Sequence, residues 1–325
     1  MRVGFCVPEN DLWKSAADEL RTAVGIEVVH GIEECRAQID TFSVLVANRL
    51  EPELFEEARA LEALFVPFVG INHLPAELLT QRGVRVFNCH GNAFSVAERA
   101  LALVLAGFGR IVEYHNDLRA GRWHGFWVGK GKEDFWDSIQ GKHCAVLGTG
   151  AIGQSLALLL QAFSCPVAGF RRSASTEQLP GFNLVSNNLS QVLHGAEIVF
   201  VTLPLTDATK GLIGRHELAA CRGAYLVNVG RGEVVDETAL YEALQDGTLA
   251  GAALDVWYQY PPTGSEYGKP SHLPLDELPN VLLSPHVAGS THTAARQNIL
   301  QTAENVKRYL QTGAALHQVD LSSQY

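Results

Sequence analysis

Short apolar runs alternate along this chain with longer stretches in which apolar positions recur every three or four residues. Runs of the first kind are RVGFCV, EVVHG, SVLVA, LFVPFV and VRVFNC in the first hundred residues. HCAVLG, PVAGF, EIVFVTLP, AYLVNV, GAALDV and NVLLSP follow later. Their length and composition predict β-strands. The second set is the richer in continuous apolar runs, as strands buried on both faces must be. Between the strands, Ile152 to Phe163 and Asp236 to Gln245 carry helical spacing. This rhythm over nearly the whole chain predicts an α/β fold built on parallel sheets.

One segment, SVAERALALVLAGFGRIVEYHNDLRAG, predicts a single long helix, with Ser95 and Glu98 forming a capping-box pair at its start. From Ala97 to Phe108 it is apolar around most of its circumference. Such a helix is expected to be buried in its own core or against a second subunit. Trp123, Trp127 and Trp136 follow in a stretch punctuated by Gly and Lys, which reads as an exposed excursion.

Composition then narrows the class. A length of 325 residues suits two domains, and 47% hydrophobic against 18% charged residues suits a globular chain. The net charge of −10 argues against a nucleic-acid partner, which requires a basic face. The opening MRVGFCVPEND reads as a first strand and turn, with no run of signal-peptide length. The longest apolar stretch, around Ala100 to Gly109, is far short of the roughly 20 residues of a membrane span. No membrane partner is expected. Cys6, Cys35, Cys89, Cys144, Cys165 and Cys221 are scattered without a close pair, and read as reduced thiols of a cytoplasmic protein.

HCAVLGTGAIG places Gly148, Gly150 and Gly153 in G-x-G-x-x-G spacing after an apolar strand and before a helix starting near Ala151 and Ile152. The first glycine permits a tight turn, the second lets a pyrophosphate approach the backbone, and the third lets helix and strand pack closely. The phosphates would sit on the positive end of that helix. A Rossmann-type dinucleotide site follows. Its next strand, PVAGF, runs into Arg171, Arg172 and Ser173, where an NAD site usually carries an acid for the ribose 2′-hydroxyl. Guanidinium groups there suit a 2′-phosphate, so NADP is the expected cofactor and NAD the alternative.

LVNVGRGEVVDETAL sets Arg231 in a Gly-flanked loop past one strand, and SPHVAG sets His286 past another. Carboxyl-terminal strand ends of an open α/β sheet face its ligand crevice. Two such side chains beside a dinucleotide motif form a candidate catalytic constellation.

In order, GTGAIG, TLPLTDATKGLI, VNVGRG, GAALDV and SPHVAG make this sequence resemble the D-isomer-specific 2-hydroxyacid dehydrogenases over nearly its whole length. The resemblance implies two Rossmann-like or flavodoxin-like lobes. A substrate-binding domain would comprise residues 1–94 plus 291–325, and the dinucleotide-binding domain, residues 95–290, would be inserted within it. It also implies a homodimer built on the long apolar helix. Carried over by position, Arg231 would bind the substrate carboxylate and polarise the 2-keto oxygen, and His286 would donate a proton to that oxygen as hydride arrives. Asp255 would hold the nicotinamide carboxamide. Pro204, Thr209, Val229, Gly230 and, within SPHVAG, Gly289 would line the cofactor path. Val69 and Gly70 in FVGINHLP would offer backbone amides to the substrate carboxylate. The implied reaction is hydride transfer between the nicotinamide cofactor and a small 2-keto or 2-hydroxy acid such as glyoxylate or hydroxypyruvate.

The pattern departs at DVWYQYPP. Most of the family places an acid immediately before the proline, where it favours protonated histidine. Tyr260 stands there instead, and a neutral phenol supplies no counter-charge. Formate dehydrogenases of the superfamily carry glutamine at this place, and Asn92 matches an asparagine that binds formate in them. Formate oxidation is therefore one alternative, and a dinucleotide-sensing corepressor a second. The segment TGSEYGKPSHLPLDEL makes the link to His286 longer than is usual, and Glu266 within it is a candidate replacement acid, although a solvated loop glutamate is the simpler reading. Phe68, Trp123 and residues 263–272 are candidate pocket walls. No metal site is expected, since His124, His272 and His292 lack ligand spacing.

Overall fold

The computed structural model describes residues 1–173 and 178–322. All eleven predicted strands form. The described residues contain β1 (Arg2–Cys6), β2 (Glu27–His30), β3 (Val44–Ala47), β4 (Ala63–Phe65), β5 (Arg85–Phe87), β6 (Cys144–Leu147), β7 (Val167–Phe170), β8 (Leu184–Ser186), β9 (Ile198–Val201), β10 (Tyr225–Asn228), β11 (Gly251–Leu254), β12 (Val281–Leu283) and β13 (Gln318–Val319). The two strands not predicted, β8 and β13, are sheet-edge strands of three and two residues. Too short and too exposed to show an apolar run, they leave little signal in sequence.

The chain forms two compact units, Met1–Asn92 with Ser290–Tyr325, and Ala93–Gly289. In the first, the sheet order is β13-β5-β4-β3-β1-β2, parallel except for β13. Both faces are covered, which explains the apolar runs. Val3, Phe5, Val44, Val46 and Phe65 pack with Trp13, Leu20, Val306 and Tyr309 of the helices Asp11–Val24 and His292–Thr312. Leu45, Leu64 and Val86 turn to the other face, against Cys35, Phe42, Phe55 and Leu79. Asn10 caps the first helix by accepting from the Trp13 amide (2.8 Å), and Thr291 caps the other from Ala294 (3.0 Å). Each such cap is worth about 1 kcal/mol.

In the second unit all strand pairs are parallel, in the order β12-β11-β10-β9-β6-β7-β8. The order reverses between β6 and β9, the position where open α/β sheets open a crevice at their carboxyl ends. Helix Ala93–Phe108 lies against helix Ala151–Gln161 through Ala97, Ala100, Val104, Leu156 and Ala157.

The expected long helix is corrected in two ways. It starts at Ala93, so Ser95 and Glu98 fall inside its first turns instead of forming a capping box. It also ends at Phe108, and a second helix runs Ile111–Arg119. Arg110 at the break adopts φ 50°, and its guanidinium pairs with Glu113 and lies over the Tyr114 ring. At the break the Gly109 amide donates to the Leu105 carbonyl (2.9 Å) and the Arg110 amide to the Gly107 carbonyl (3.1 Å). Trp123, Trp127 and Trp136 are exposed, as the sequence predicts.

Candidate active site

The glycine turn follows β6. Gly148 has φ 113°, and a Cβ on Gly153 would stand 1.9 Å from the Gly148 carbonyl oxygen. A side chain at position 153 would force the following helix off the turn. Gly150 caps the helix Ala151–Gln161 without a side-chain hydrogen bond, which leaves the amides of its first turn for a ligand. The Thr202 hydroxyl donates to the carbonyl oxygens of Leu147 and Gly148 and ties the turn to the end of β9. This cradle fits a dinucleotide pyrophosphate.

Arg171 is half-buried past β7, and Arg172 and Ser173 are exposed beside it. The Arg171 amide bonds to the Ser186 carbonyl (3.0 Å), which fixes its backbone, and neither guanidinium forms an ion pair among the described residues. Past β9, the Thr209 hydroxyl donates to the Pro204 carbonyl (2.6 Å) and accepts the Thr206 amide (2.8 Å). Thr209 thus holds the shape of this loop.

The Val229–Gly232 loop is wedged between two backbones. A Cβ on Gly230 would come within 2.5 Å of the Leu203 oxygen, and one on Gly232 within 2.4 Å of the Trp257 oxygen. Asn228 braces the loop, accepting from the Gly230 amide and donating to the Arg231 carbonyl, both at 3.0 Å. Between these contacts Arg231 is half-buried and donates to the Gly230 carbonyl (2.7 Å), with no carboxylate partner among the described residues. Burial holds its pKa below the usual guanidinium range.

Asp255 is fully buried after β11. Its carboxylate accepts from the Ser284 hydroxyl, the Val287 amide (3.1 Å) and the Ala288 amide (2.9 Å). Arg99 donates to the same Ser284 hydroxyl oxygen (3.0 Å), and the Trp257 indole donates to the Ser284 carbonyl (2.9 Å). These bonds clamp the SPHVAG loop, whose Gly289 closes the second unit. His286 at its apex has φ 57°, a conformation that costs a non-glycine residue about 1–3 kcal/mol unless its surroundings enforce it.

Tyr260 packs beside His286, and its hydroxyl accepts from the Trp257 amide (3.2 Å). Partial burial, and then the Arg231 guanidinium, hold the His286 imidazole below its ordinary pKa, with Asp255 opposing. Glu266 does not supply the missing acid. It is exposed, and the charges bearing on His286 are those of Arg231 and Asp255. The second half of the inserted segment is instead anchored elsewhere, with Ser271 and His272 bonded to Glu237.

In the first unit, Val69 and Gly70 are half-buried after β4, and the Val69 carbonyl accepts from Asn88 (3.0 Å). The Asn92 Oδ1 is buried without a hydrogen-bond partner among the described residues. Phe68 lines a cavity of about 400 Å³.

The family description "D-isomer specific 2-hydroxyacid dehydrogenase, NAD binding domain" matches residues 101–288. Glyoxylate/hydroxypyruvate reductase B of Pectobacterium carotovorum is 32% identical over 88% of this chain and 89% of its own length. D-3-phosphoglycerate dehydrogenase of Archaeoglobus fulgidus is 30% identical over 90% of this chain, which spans 55% of that longer protein. Among solved structures, the NADPH-dependent glyoxylate/hydroxypyruvate reductase of Sinorhizobium meliloti aligns with TM-score 0.77 at 27% identity, covering 99% of this chain and 98% of that one. The chain belongs to the D-isomer-specific 2-hydroxyacid dehydrogenases.

This dehydrogenase therefore belongs to a family of nicotinamide-dependent oxidoreductases. Its second unit brings Arg231, Asp255, Tyr260 and His286 together, and its first unit carries Val69, Gly70 and Asn92. Trp123 is 58% exposed and is not placed as a pocket wall. Sequence reasoning did not single out Arg99, Asn228, Trp257 and Ser284, which act by bracing loops. Three of them lie inside or beside the quoted signatures, and only their hydrogen bonds reveal the role. The His124 side chain is largely buried between Asp117 and Asp134, at 2.7 Å from each. It lies near Glu113 and Asp117 in reach of a shared ion, but Arg110 already pairs with Glu113 and Arg122 with Asp117.

Proposed function

We propose that this dehydrogenase reduces a small 2-keto acid to the D-2-hydroxy acid with NADPH, with glyoxylate and hydroxypyruvate as first candidates. The observation that carries the reading is Arg231, a half-buried cation without a carboxylate partner among the described residues, set beside His286. A buried charge requires compensation, and a substrate carboxylate supplies it. Glyoxylate reductase of Aeropyrum pernix, 32% identical over 84% of this chain and 81% of its own length, supports the substrate class.

When bound, the cofactor supplies hydride to the keto carbon. Arg231 orients the carboxylate and meets the charge developing on the keto oxygen, and His286 delivers a proton to that oxygen. Tyr260 packs the imidazole in place. Arg171 and Arg172 favour the 2′-phosphate, and Ser173 adds a hydroxyl there. Along the rest of the cofactor path, Gly148, Gly150, Ala151, Ile152 and Gly153 present backbone to the pyrophosphate, and Pro204, Thr209, Val229, Gly230 and Gly289 line the remainder. Asp255, expected at the nicotinamide carboxamide, instead gives its fully buried carboxylate to Ser284, Val287 and Ala288 and so holds the His286 loop. In the first unit, the backbone at Val69 and Gly70 and the side chain of Asn92 have the substrate-binding role.

A homodimer forms part of the same proposal. Ile111, Val112, Trp123, Phe126, Trp127 and Trp136 are all at least 46% exposed, an apolar surface suited to a second copy. The six free cysteines fit a reducing cytoplasmic compartment. The test is NADPH and NADH oxidation with a panel of 2-keto acids. Turnover with NADPH and at least one small 2-keto acid supports the reading, and tight NADPH binding without oxidation by any of them refutes it.

A further inference from the structure

We propose that Cys6 and Cys35 are a peroxide-sensitive thiol pair that closes to an intramolecular disulfide. They lie far apart in sequence, and the fold brings them together. β1 ends in Cys6, and the adjacent β2 leads through Gly31 into a helix, Ile32–Arg36, that carries Cys35. The Gly31 amide donates to the Phe5 carbonyl (3.1 Å), and the Cys35 amide to the Gly31 carbonyl (3.1 Å), which seats this helix over the end of β1. The Cys6 Sγ reaches the Ile32 carbonyl (3.9 Å), the Cys35 Sγ reaches the Val29 carbonyl (3.8 Å), and the two thiols interact directly.

Two further features separate this pair from ordinary core cysteines. Cys6 lines the cavity of about 400 Å³, together with Ile32, Arg36, Asn48, Arg49 and Phe68, so a small oxidant has space beside it. The cavity also holds two guanidinium groups, although Arg36 is partly engaged by Glu51. The Cys35 thiol, and then the Arg36 guanidinium, hold the Cys6 thiol below its ordinary pKa, while the contact with Cys6 and burial push Cys35 up. Cys6, which lines the cavity, is the nucleophile, and Cys35, fully buried and away from the cavity lining, is the resolving thiol. Cys144 and Cys165 provide an internal contrast. They also touch each other, but burial raises both, and neither lines that cavity.

The chemistry balances with a peroxide as oxidant. The Cys6 sulfur attacks one peroxide oxygen, the O–O bond breaks, and a sulfenic acid and one water form. The Cys35 sulfur then attacks the Cys6 sulfur, the S–OH bond breaks, and a second water leaves with the disulfide. Each peroxide is reduced to two waters as two thiols are oxidised to one disulfide.

The test treats the full-length, reduced protein with hydrogen peroxide, alkylates remaining thiols under denaturing conditions, and maps peptides by mass spectrometry. It needs no enzyme activity. The expected product is a Cys6–Cys35 cross-linked peptide, at least tenfold more abundant than any Cys144–Cys165 product, and abolished by dithiothreitol. In a folded Cys35→Ser protein, dimedone should label Cys6, because the sulfenic acid is no longer resolved. Recovery of Cys6 and Cys35 as alkylated thiols to the same extent as Cys144 and Cys165 would overturn the proposal. Absence of dimedone at Cys6 in folded Cys35→Ser protein would also overturn it.

Discussion

The ring of Tyr260 lies 5.5 Å, centroid to centroid, from that of His286 and is inclined to it by 48°. A phenol at this distance packs the imidazole and brings no negative charge. Restoring one by Tyr260→Glu should raise the pKa of His286. Reduction needs the protonated imidazole, so the limb on which kcat/KM falls with rising pH should move to higher pH. The comparison is a pH profile of the variant against wild type, and superimposable profiles would remove position 260 from control of the histidine.

His286→Ala should lower kcat for keto-acid reduction by roughly 10²–10⁴-fold, the range for loss of a general acid. NADPH affinity, read by fluorescence titration, should stay within about twofold, because the glycine turn and Arg171 are untouched. A variant with wild-type turnover would place proton delivery elsewhere.

Arg171→Ala should raise KM for NADPH by roughly tenfold to a hundredfold, equivalent to the 1.5–3 kcal/mol of a charged hydrogen bond, with little change for NADH. Equal effects on both cofactors would mean that the guanidinium does not meet the 2′-phosphate.

Asp255→Asn replaces an acceptor of three hydrogen bonds by a group that must turn a donor toward one of them. The expected cost is about 1–3 kcal/mol of stability. A fall in kcat should accompany it, larger than the change in the KM for NADPH, as the His286 loop loosens. Thermal melting and steady-state kinetics on one preparation test both parts.

A separate prediction concerns the first unit. The rings of His90 and His317 stack at 4.3 Å, and burial, followed by repulsion from His317, pushes His90 down to about 4. A base depressed in the folded state is protonated first in the unfolded chain. Stability is therefore intact above the unfolded value near 6.5 and falls as pH drops toward 4. With the partial solvent exposure of this group, the loss should be about 1–2 kcal/mol. In urea melts across that window, His90→Gln should flatten the decline, and an unchanged slope would contradict the assignment.

The strands and the glycine turn were legible because they obey local rules: apolar runs buried on both faces, and a glycine at 153 where any Cβ would strike the Gly148 carbonyl. Arg231 and His286 stand out in sequence as candidates because both follow strand ends, and the fold sets the charge of one on the other. The break at Arg110 was not legible, since it depends on ion pairing with Glu113 and on stacking over Tyr114. Nor was the bracing by Ser284 and Arg99, whose partners lie far away along the chain. The two thiol pairs were hidden for the same reason, because spacing in sequence says nothing of strands brought side by side.

The central claim is that His286 donates the proton without an anionic neighbour at position 260. The pH dependence of kcat/KM for NADPH-driven reduction of a 2-keto acid tests it most directly, because that ratio reports the ionisation of the enzyme before substrate binds. Burial and Arg231 lower the imidazole pKa, so activity should already be falling below the ordinary imidazole value near 6.5. A plateau extending to about pH 8 would show a histidine held charged by some other group, and would contradict this account.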